Sequence, residues 1–392
     1  MEKRERNTAA GTDPVTPAQR RAWRLTYITA KPVMAHKYNF TCDQIGIDGP
    51  FLLVSNHACN ADPILIGLSS KDMPLTYVAS EHLERMGAVT KLLTRYYSII
   101  PRKKASSAAD TVKSVLRALK RGAPVVLFAE GECTWDGVSA PVFPATGKLA
   151  KVSRVPLVTY RLEGNYLSVP RWADSSRRGR IRGRVVHRYS PEELAKMSPD
   201  AITAAINRDI YEDAWETQRR DNVILASRKR AEGLERALFI CPECGEIGGL
   251  QTKGDAIFCT KCGMRVSVDQ RGFFRDGRFS TVREWDVWQR EQFPRLAENP
   301  AHAELFPADG VLTDLSAGTK RKISFCLDLA GGAMVIGGEH IPLPDFSDMA
   351  MVKTNRLLFG WNGDYYEIVS KHGILRPYLL AKQLYSIEKG RE

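Results

Sequence analysis

Five short apolar runs mark residues 45–165: IGIDGPFLLVSN, LTYVAS, YYSIIPR, PVVLFAEGE and RVPLVTYRLEG. They are rich in β-branched and aromatic residues, too short for helices and bounded by turn formers, so they predict strands. Between them DPILIGLSS, EHLERMGAVTKLLTRY, SSAADTVKSVLRALKRG and TGKLAKVS carry helical periodicity, with Val112, Val115, Leu116 and Leu119 as one apolar stripe. The alternation predicts a layered α/β domain with a mixed sheet. In such sheets the ligand sits beyond the carboxyl ends of the strands. Here FLLVSNH, IIPR and VVLFAEG end in Asn56 and His57, Arg102 and Glu130.

Upstream, Thr16-Pro17 reads as an N-cap followed by proline at the first helical position. The helix it opens places Trp23, Tyr27, Ala30 and Met34 on one face, with Arg20, Arg21, Arg24 and Lys31 among and around them. That mixture suits a membrane interface, and it suits equally a helix packed on the domain core. Downstream, RWADSSRRGRIRGRVVHRY is a basic run, read as a solvated face or as a holder of anionic headgroups. Helical material follows from 190 to 235. Thr281-x-x-Glu284 is a capping box opening a helix with Trp285 and Trp288. The remaining residues read as strands, with Asn362-Gly363 as a type I′ hairpin turn and LRPYLLAKQLYSIEKG as a closing helix. The expected organisation is an amphipathic segment at 1–44, an α/β domain at 45–235, a zinc ribbon and helix at 236–300, and a small β-rich, pleckstrin-like or GRAM-like domain at 301–392.

A length of 392 residues fits more than one domain, and 43% hydrophobic with 26% charged residues is ordinary globular composition. The net charge of +12 is uneven: residues 1–240 hold 38 basic and 25 acidic side chains, residues 241–392 hold 19 and 20. The first part therefore expects an anionic partner, whether phospholipid headgroup, nucleic acid or phosphorylated substrate. No apolar run approaches a spanning helix, and MEKRERNTAAGTDP lacks the apolar core of a secretory signal. These features point to the cytosol.

Cys241/Cys244 and Cys259/Cys262 form two Cys-x-x-Cys pairs. In a cytosolic chain they predict a four-thiolate zinc site rather than disulfides. Gly245 and Gly263 follow the pairs, where each knuckle needs a residue without Cβ strain. A closed site of this kind is structural and does no chemistry.

Histidine is the side chain whose ordinary pKa lies nearest neutrality, which makes it the usual proton acceptor, and a carboxylate fixes its tautomer. His57 and Asp62 have that pairing, though with seven histidines in the chain the spacing alone is weak. Five residues on a helix turn through about 140°, so the two cannot share a helical face. His57 must sit on the turn leaving the strand and Asp62 near the helix start. Asp62, preceding Pro63, also fits an N-cap, and Cys59 reads as a small buried side chain.

The order of motifs resembles the glycerolipid acyltransferase family of the lysophosphatidic acid acyltransferase type. The matching residues are Asn56-His57 with Asp62, Ile99-Ile100-Pro101-Arg102, Phe128-Ala129-Glu130-Gly131, and Val155-Pro156-Leu157-Val158. The resemblance covers about 45–165 and leaves out the cysteine pairs and the tail. It implies transfer of a fatty acyl group from acyl-CoA or acyl carrier protein to a hydroxyl of a lysophospholipid or glycerol phosphate at an anionic membrane surface. His57 would be the general base, steadied by Asp62, with Asn56, Arg102, Glu130, Gly131 and Lys148 binding substrate. Cys133 stands where the family has an arginine that helps hold the acceptor phosphate. Either Arg102, Lys104 or Lys148 supplies that charge, or the acceptor is not a simple glycerol phosphate. The chain has no Gly-x-Ser-x-Gly elbow, so direct transfer without an acyl-enzyme is expected, with backbone N–H groups of the turn meeting the developing oxyanion. Two alternatives are a zinc-ribbon protein binding nucleic acid, disfavoured by the near-neutral ribbon region, and an inactive acyltransferase-like membrane adaptor.

Overall fold

The computed structural model describes residues 15–80, 99–102 and 108–389. The chain divides into two compact units, the first holding Met1–Thr134, Val138–Tyr166 and Arg180–Thr217, the second Trp135–Gly137, Leu167–Gly179 and Gln218–Glu392. The second unit thus takes in the chain from Gln218 onward together with two short internal segments.

Seven strands build the sheet of the first unit: β1 (Thr41–Cys42), β2 (Leu52–Ser55), β3 (Thr76–Ser80), β4 (Ile99–Arg102), β5 (Val125–Leu127), β6 (Leu157–Glu163) and β7 (Arg182–Tyr189). Their order is β1-β7-β6-β2-β5-β3-β4. Neighbours run parallel except β6 and β7, which makes the sheet mixed. β2 lies between β5 and β6 and is buried at all four residues, as a strand covered on both faces must be. Helices α1 (Pro17–Tyr38), α2 (Asp62–Gly67), α3 (Ala108–Lys120) and α4 (Ala145–Ser153) belong to the same unit. Val115 and Leu119 of α3 and Leu149 of α4 join Leu52, Val54, Val125 and Leu157 in one core, against which Val112 and Leu116 pack. The helix expected over EHLERMGAVTKLLTRY lies outside the described residues.

α1 starts as its sequence requires. Thr16 Oγ1 accepts the Gln19 N–H at 3.2 Å and Gln19 Oε1 accepts the Thr16 N–H at 2.9 Å. Its aromatic face turns inward: Trp23 and Tyr27 are buried, and Trp23 Nε1 donates to the Ser70 carbonyl at 2.8 Å. The large apolar residues of α1 left exposed are Leu25, Ile28 and Val33, at 65%, 69% and 55%.

The basic run resolves into distinct fates. Arg177, in the second unit, is buried against the Trp172 ring and donates to the Leu167 and Arg230 carbonyls. Arg182 and Arg184 of β7 pair with the buried Glu163 of β6, and Arg188 donates to the Ile45 and Gln44 carbonyls. The run thus combines a buried arginine, Arg177, with arginines such as Arg184 and Arg188 that stay exposed while making internal bonds.

In the second unit, four antiparallel strands are Leu250–Lys253, Ala256–Cys259, Arg265–Val268 and Phe274–Arg275. A separate seven-stranded antiparallel sheet spans Leu305 to Val369. Its edges, Glu339–Pro342 and Ser347–Val352, do not pair with each other among the described residues. Asn362 and Gly363 both have positive φ, 51° and 85°, and join Arg356–Trp361 to Asp364–Val369 with Trp361 opposite Asp364. The expected two-residue hairpin forms. The helix Arg376–Lys389 closes the chain, with Tyr378 donating to the Phe306 carbonyl at 3.0 Å.

Candidate active site

Parallel pairing sets Val54 opposite Leu127, so the chain leaving β2 emerges beside the chain leaving β5. The first carries Asn56 and His57, the second Phe128 to Cys133. Asn56 is buried, and its amide continues the β2–β6 ladder: Nδ2 donates to the Leu162 carbonyl at 2.9 Å, and Oδ1 accepts the Leu162 N–H at 2.8 Å. The family reading gives Asn56 to substrate; here both of its polar atoms bind β6.

His57 follows on the turn, with its ring stacked on Phe128 at 4.1 Å between centroids. Nδ1 lies 2.8 Å from Asp62 Oδ2. Asp62 is the first residue of α2, with Ala61 as the cap, one place later than the N-cap expected. From there its carboxylate gathers the turn: Oδ2 also accepts the Ala58 and Cys59 N–H groups at 2.7 and 2.9 Å, and Oδ1 accepts from Asn165 Nδ2 at 2.9 Å. Asp62 is fully buried, while the His57 side chain keeps 19% of its surface exposed. The imidazole is thus anchored at Nδ1 and remains partly exposed.

Glu130 is buried, and its two oxygens accept the His57 N–H at 2.8 Å and the Ala140 N–H at 2.7 Å. It holds backbone rather than presenting a free carboxylate. Gly131 has φ +92°, a conformation that favours glycine, and a Cβ there would press on the tip of the Phe143 ring at 2.7 Å. The Thr134 N–H returns to the His57 carbonyl at 3.0 Å. Residues 130–134 therefore clasp both backbone polar groups of His57. This fixes Cys133, whose sulfur lies 3.2 Å from His57 Nε2.

The expected oxyanion donors need correction. The N–H groups of His57, Ala58 and Cys59 bind Glu130 and Asp62, so those of the turn do not point at a reacting carbonyl. Arg102 ends β4, and its side chain and Lys104 lie outside the described residues. Lys148 lies on the exposed face of α4, and among the described residues no hydrogen bond or ion pair joins it to His57.

Burial favours the neutral form of Asp62, but bonds from His57, Asn165 and the Cys59 N–H outweigh it and hold the carboxyl below its ordinary range. For His57, burial pulls the pKa down. The Cys133 sulfur and the Asp62 carboxylate push the other way and prevail, to about 10. Burial raises Glu130 to about 7 against the bonds from Ala140 and His57. Cys59 is buried, with its sulfur 3.0 Å from Asp62 Oδ1, and burial holds its thiol well above the usual value.

Residues 33–163 match the acyltransferase family model. That span contains His57, Asp62, Glu130 and Cys133, and so coincides with the geometry just described. Among solved structures the chain is similar to the 1-acyl-sn-glycerophosphate (LPA) acyltransferase PlsC from Thermotoga maritima. The identity is 16%, the match covers 49% of this chain and 78% of that one, and the TM-score is 0.42.

In the second unit the four sulfurs of Cys241, Cys244, Cys259 and Cys262 lie within 4.8 Å of one another. Cys241 and Cys262 are 3.7 Å apart, Cys244 and Cys259 3.8 Å. A tetrahedron of thiolates at a Zn–S distance of 2.3 Å has edges of about 3.8 Å, so the donor set fits zinc. Gly245 and Gly263 have φ of +71° and +75°, and their N–H groups close the knuckles on the Cys241 and Cys259 carbonyls.

Proposed function

We propose that the protein is an O-acyltransferase moving a fatty acyl group from a thioester donor, acyl-CoA or acyl carrier protein, to a hydroxyl of a lysophospholipid or glycerol phosphate. The observation that carries this reading is the His57–Asp62 pair beyond the carboxyl end of β2, a parallel strand of the mixed sheet, inside the segment matching the acyltransferase family. An alcohol with a pKa far above neutrality needs a base as it attacks a carbonyl. His57 Nε2 is that base, and Asp62 fixes the ring and stabilises the imidazolium. Asn56 and Glu130 are positioning residues that hold the turn, and Arg102 is the cation proposed for the acceptor phosphate.

The surface of action is an anionic bilayer. Leu25, Ile28 and Val33 are exposed apolar residues on α1, interspersed with the exposed Arg21, Arg24 and Lys31. That arrangement matches an interfacial helix. Among the described residues no helix is long and apolar enough to cross a membrane. The four thiolates hold one structural zinc ion.

Release of donor thiol on addition of lysophosphatidic acid tests the assignment. His57→Ala is expected to slow it by at least about 100-fold with the circular dichroism of the fold unchanged. Undiminished release in that variant removes His57 from the chemistry.

A further inference from the structure

Cys133 occupies the place of a family arginine, yet its surroundings are those of a sulfur nucleophile. Its Sγ lies 3.2 Å from His57 Nε2, and Nδ1 of the same ring lies 2.8 Å from Asp62. The nucleophile touches the base and the base touches its orienter, which is the geometry of an activated thiol. The contact is held in place. Glu130 accepts the His57 N–H and Thr134 donates to the His57 carbonyl, so the loop carrying Cys133 is registered on the histidine from both sides of its backbone. Cys133 is also only partly buried. Cys59, the other sulfur nearby, is sealed in and bonded to Asp62 on the far side of the pair.

Resting on the acyl-transfer reading above, we propose that Cys133 carries the acyl group as a covalent thioester between donor and acceptor. In the first step Sγ attacks the donor carbonyl. A carbon–sulfur bond forms to Cys133, the donor's carbon–sulfur bond breaks, and the departing thiol takes the proton that His57 Nε2 received from Cys133. In the second step the acceptor hydroxyl attacks the Cys133 thioester and gives its proton to Nε2. The ester bond forms, the bond to Sγ breaks, and the sulfur and imidazole share the proton again. No oxidant, reductant or further reactant is consumed.

This order resolves a conflict in direct transfer. In the resting protein Nε2 is already engaged with the sulfur, where the acceptor hydroxyl would need to bind. Acylation removes the thiol proton and frees Nε2 for the alcohol.

The step is reversible between two thioesters, so it permits isotope exchange without any acceptor. The full chain is incubated with short- and long-chain acyl-CoA or acyl carrier protein thioesters and the corresponding labelled free thiol, and label entering the donor is measured. Transfer to lysophosphatidic acid is followed in parallel, and the quenched protein is analysed by peptide mass spectrometry. Exchange is expected in the wild type, with an acyl adduct on the peptide containing Cys133 and a loss of at least about 100-fold in Cys133→Ser. Transfer without exchange overturns the covalent step and leaves the acyltransferase reading standing. Exchange that persists in Cys133→Ser, or an adduct on another residue, also overturns it. Absence of both transfer and exchange overturns both readings. The wild-type measurements need no variant to fold.

Discussion

Glu130 is a buried carboxyl that two backbone N–H groups keep partly ionised. Its folded pKa of about 7 lies above its ordinary 4.5, so the folded chain binds the proton more tightly than the unfolded chain. The resulting stabilisation is fully present below about pH 4.5 and is lost as pH rises through about 7. Glu130→Gln has no such titration. Between pH 4.5 and 8 the stability difference between the two proteins is expected to move in favour of the variant by on the order of 3 kcal/mol, read by denaturant unfolding at each pH. A constant difference removes the assigned shift. The same scale shows what sequence reveals about a site. His57 and Asp62 are five residues apart, and strand–turn–helix geometry settles how they meet. Asn165 and Cys133 lie 103 and 76 residues from the groups they touch. Only folding puts them there, so nothing in the local pattern marked Asn165, and Cys133 showed only as a departure from the family.

Among the elements, α1 bears out the packed-face reading and leaves the membrane one as a proposal. The periodicity of Trp23 and Tyr27 is that of a packed face, and the structure buries both. The exposed apolar residues lie elsewhere on the helix, in positions where no burial stripe was evident. Replacing Leu25 and Ile28 with Asp removes apolar surface and adds charge of the same sign as the lipid. Binding to phosphatidylglycerol-containing vesicles is expected to fall at least about tenfold in co-sedimentation, with the thermal transition unchanged. Undiminished binding moves the contact away from α1. β7 teaches the opposite lesson. Its arginines read as a solvated face, and Arg184 and Arg188 are indeed exposed, but the pairing of Arg182 and Arg184 with the buried Glu163 of β6 was not legible.

Across the whole molecule the clearest sequence signals were those whose geometry is local. The two cysteine knuckles, the Asn-Gly hairpin and the α/β alternation all appear as expected, because each is determined within a few residues. The division into units was not legible. Trp135-Asp136-Gly137 belongs to the second unit, where Arg171 lies over the Trp135 ring and Arg283 and Arg290 pair with Asp136. Three residues inside a motif of the first unit carry no signal of that membership. Stripping the thiolates of zinc with a chelator is expected to release one equivalent of metal and expose residues 241–275 to trypsin, while donor-thiol release continues. Loss of both together assigns the metal a wider role.

The clamp between Asn56 and Leu162, with that between Asp62 and Asn165, has a temporal consequence. Their partners are 106 and 103 residues apart, so a ribosome needs on the order of 5–20 s to make the second half of each after the first. During that interval the nascent chain carries a histidine without the scaffold that aims it. Assembly of the clamped turn is thereby coupled to completion of the sheet, and a truncated translation product ending before β6 lacks both clamps.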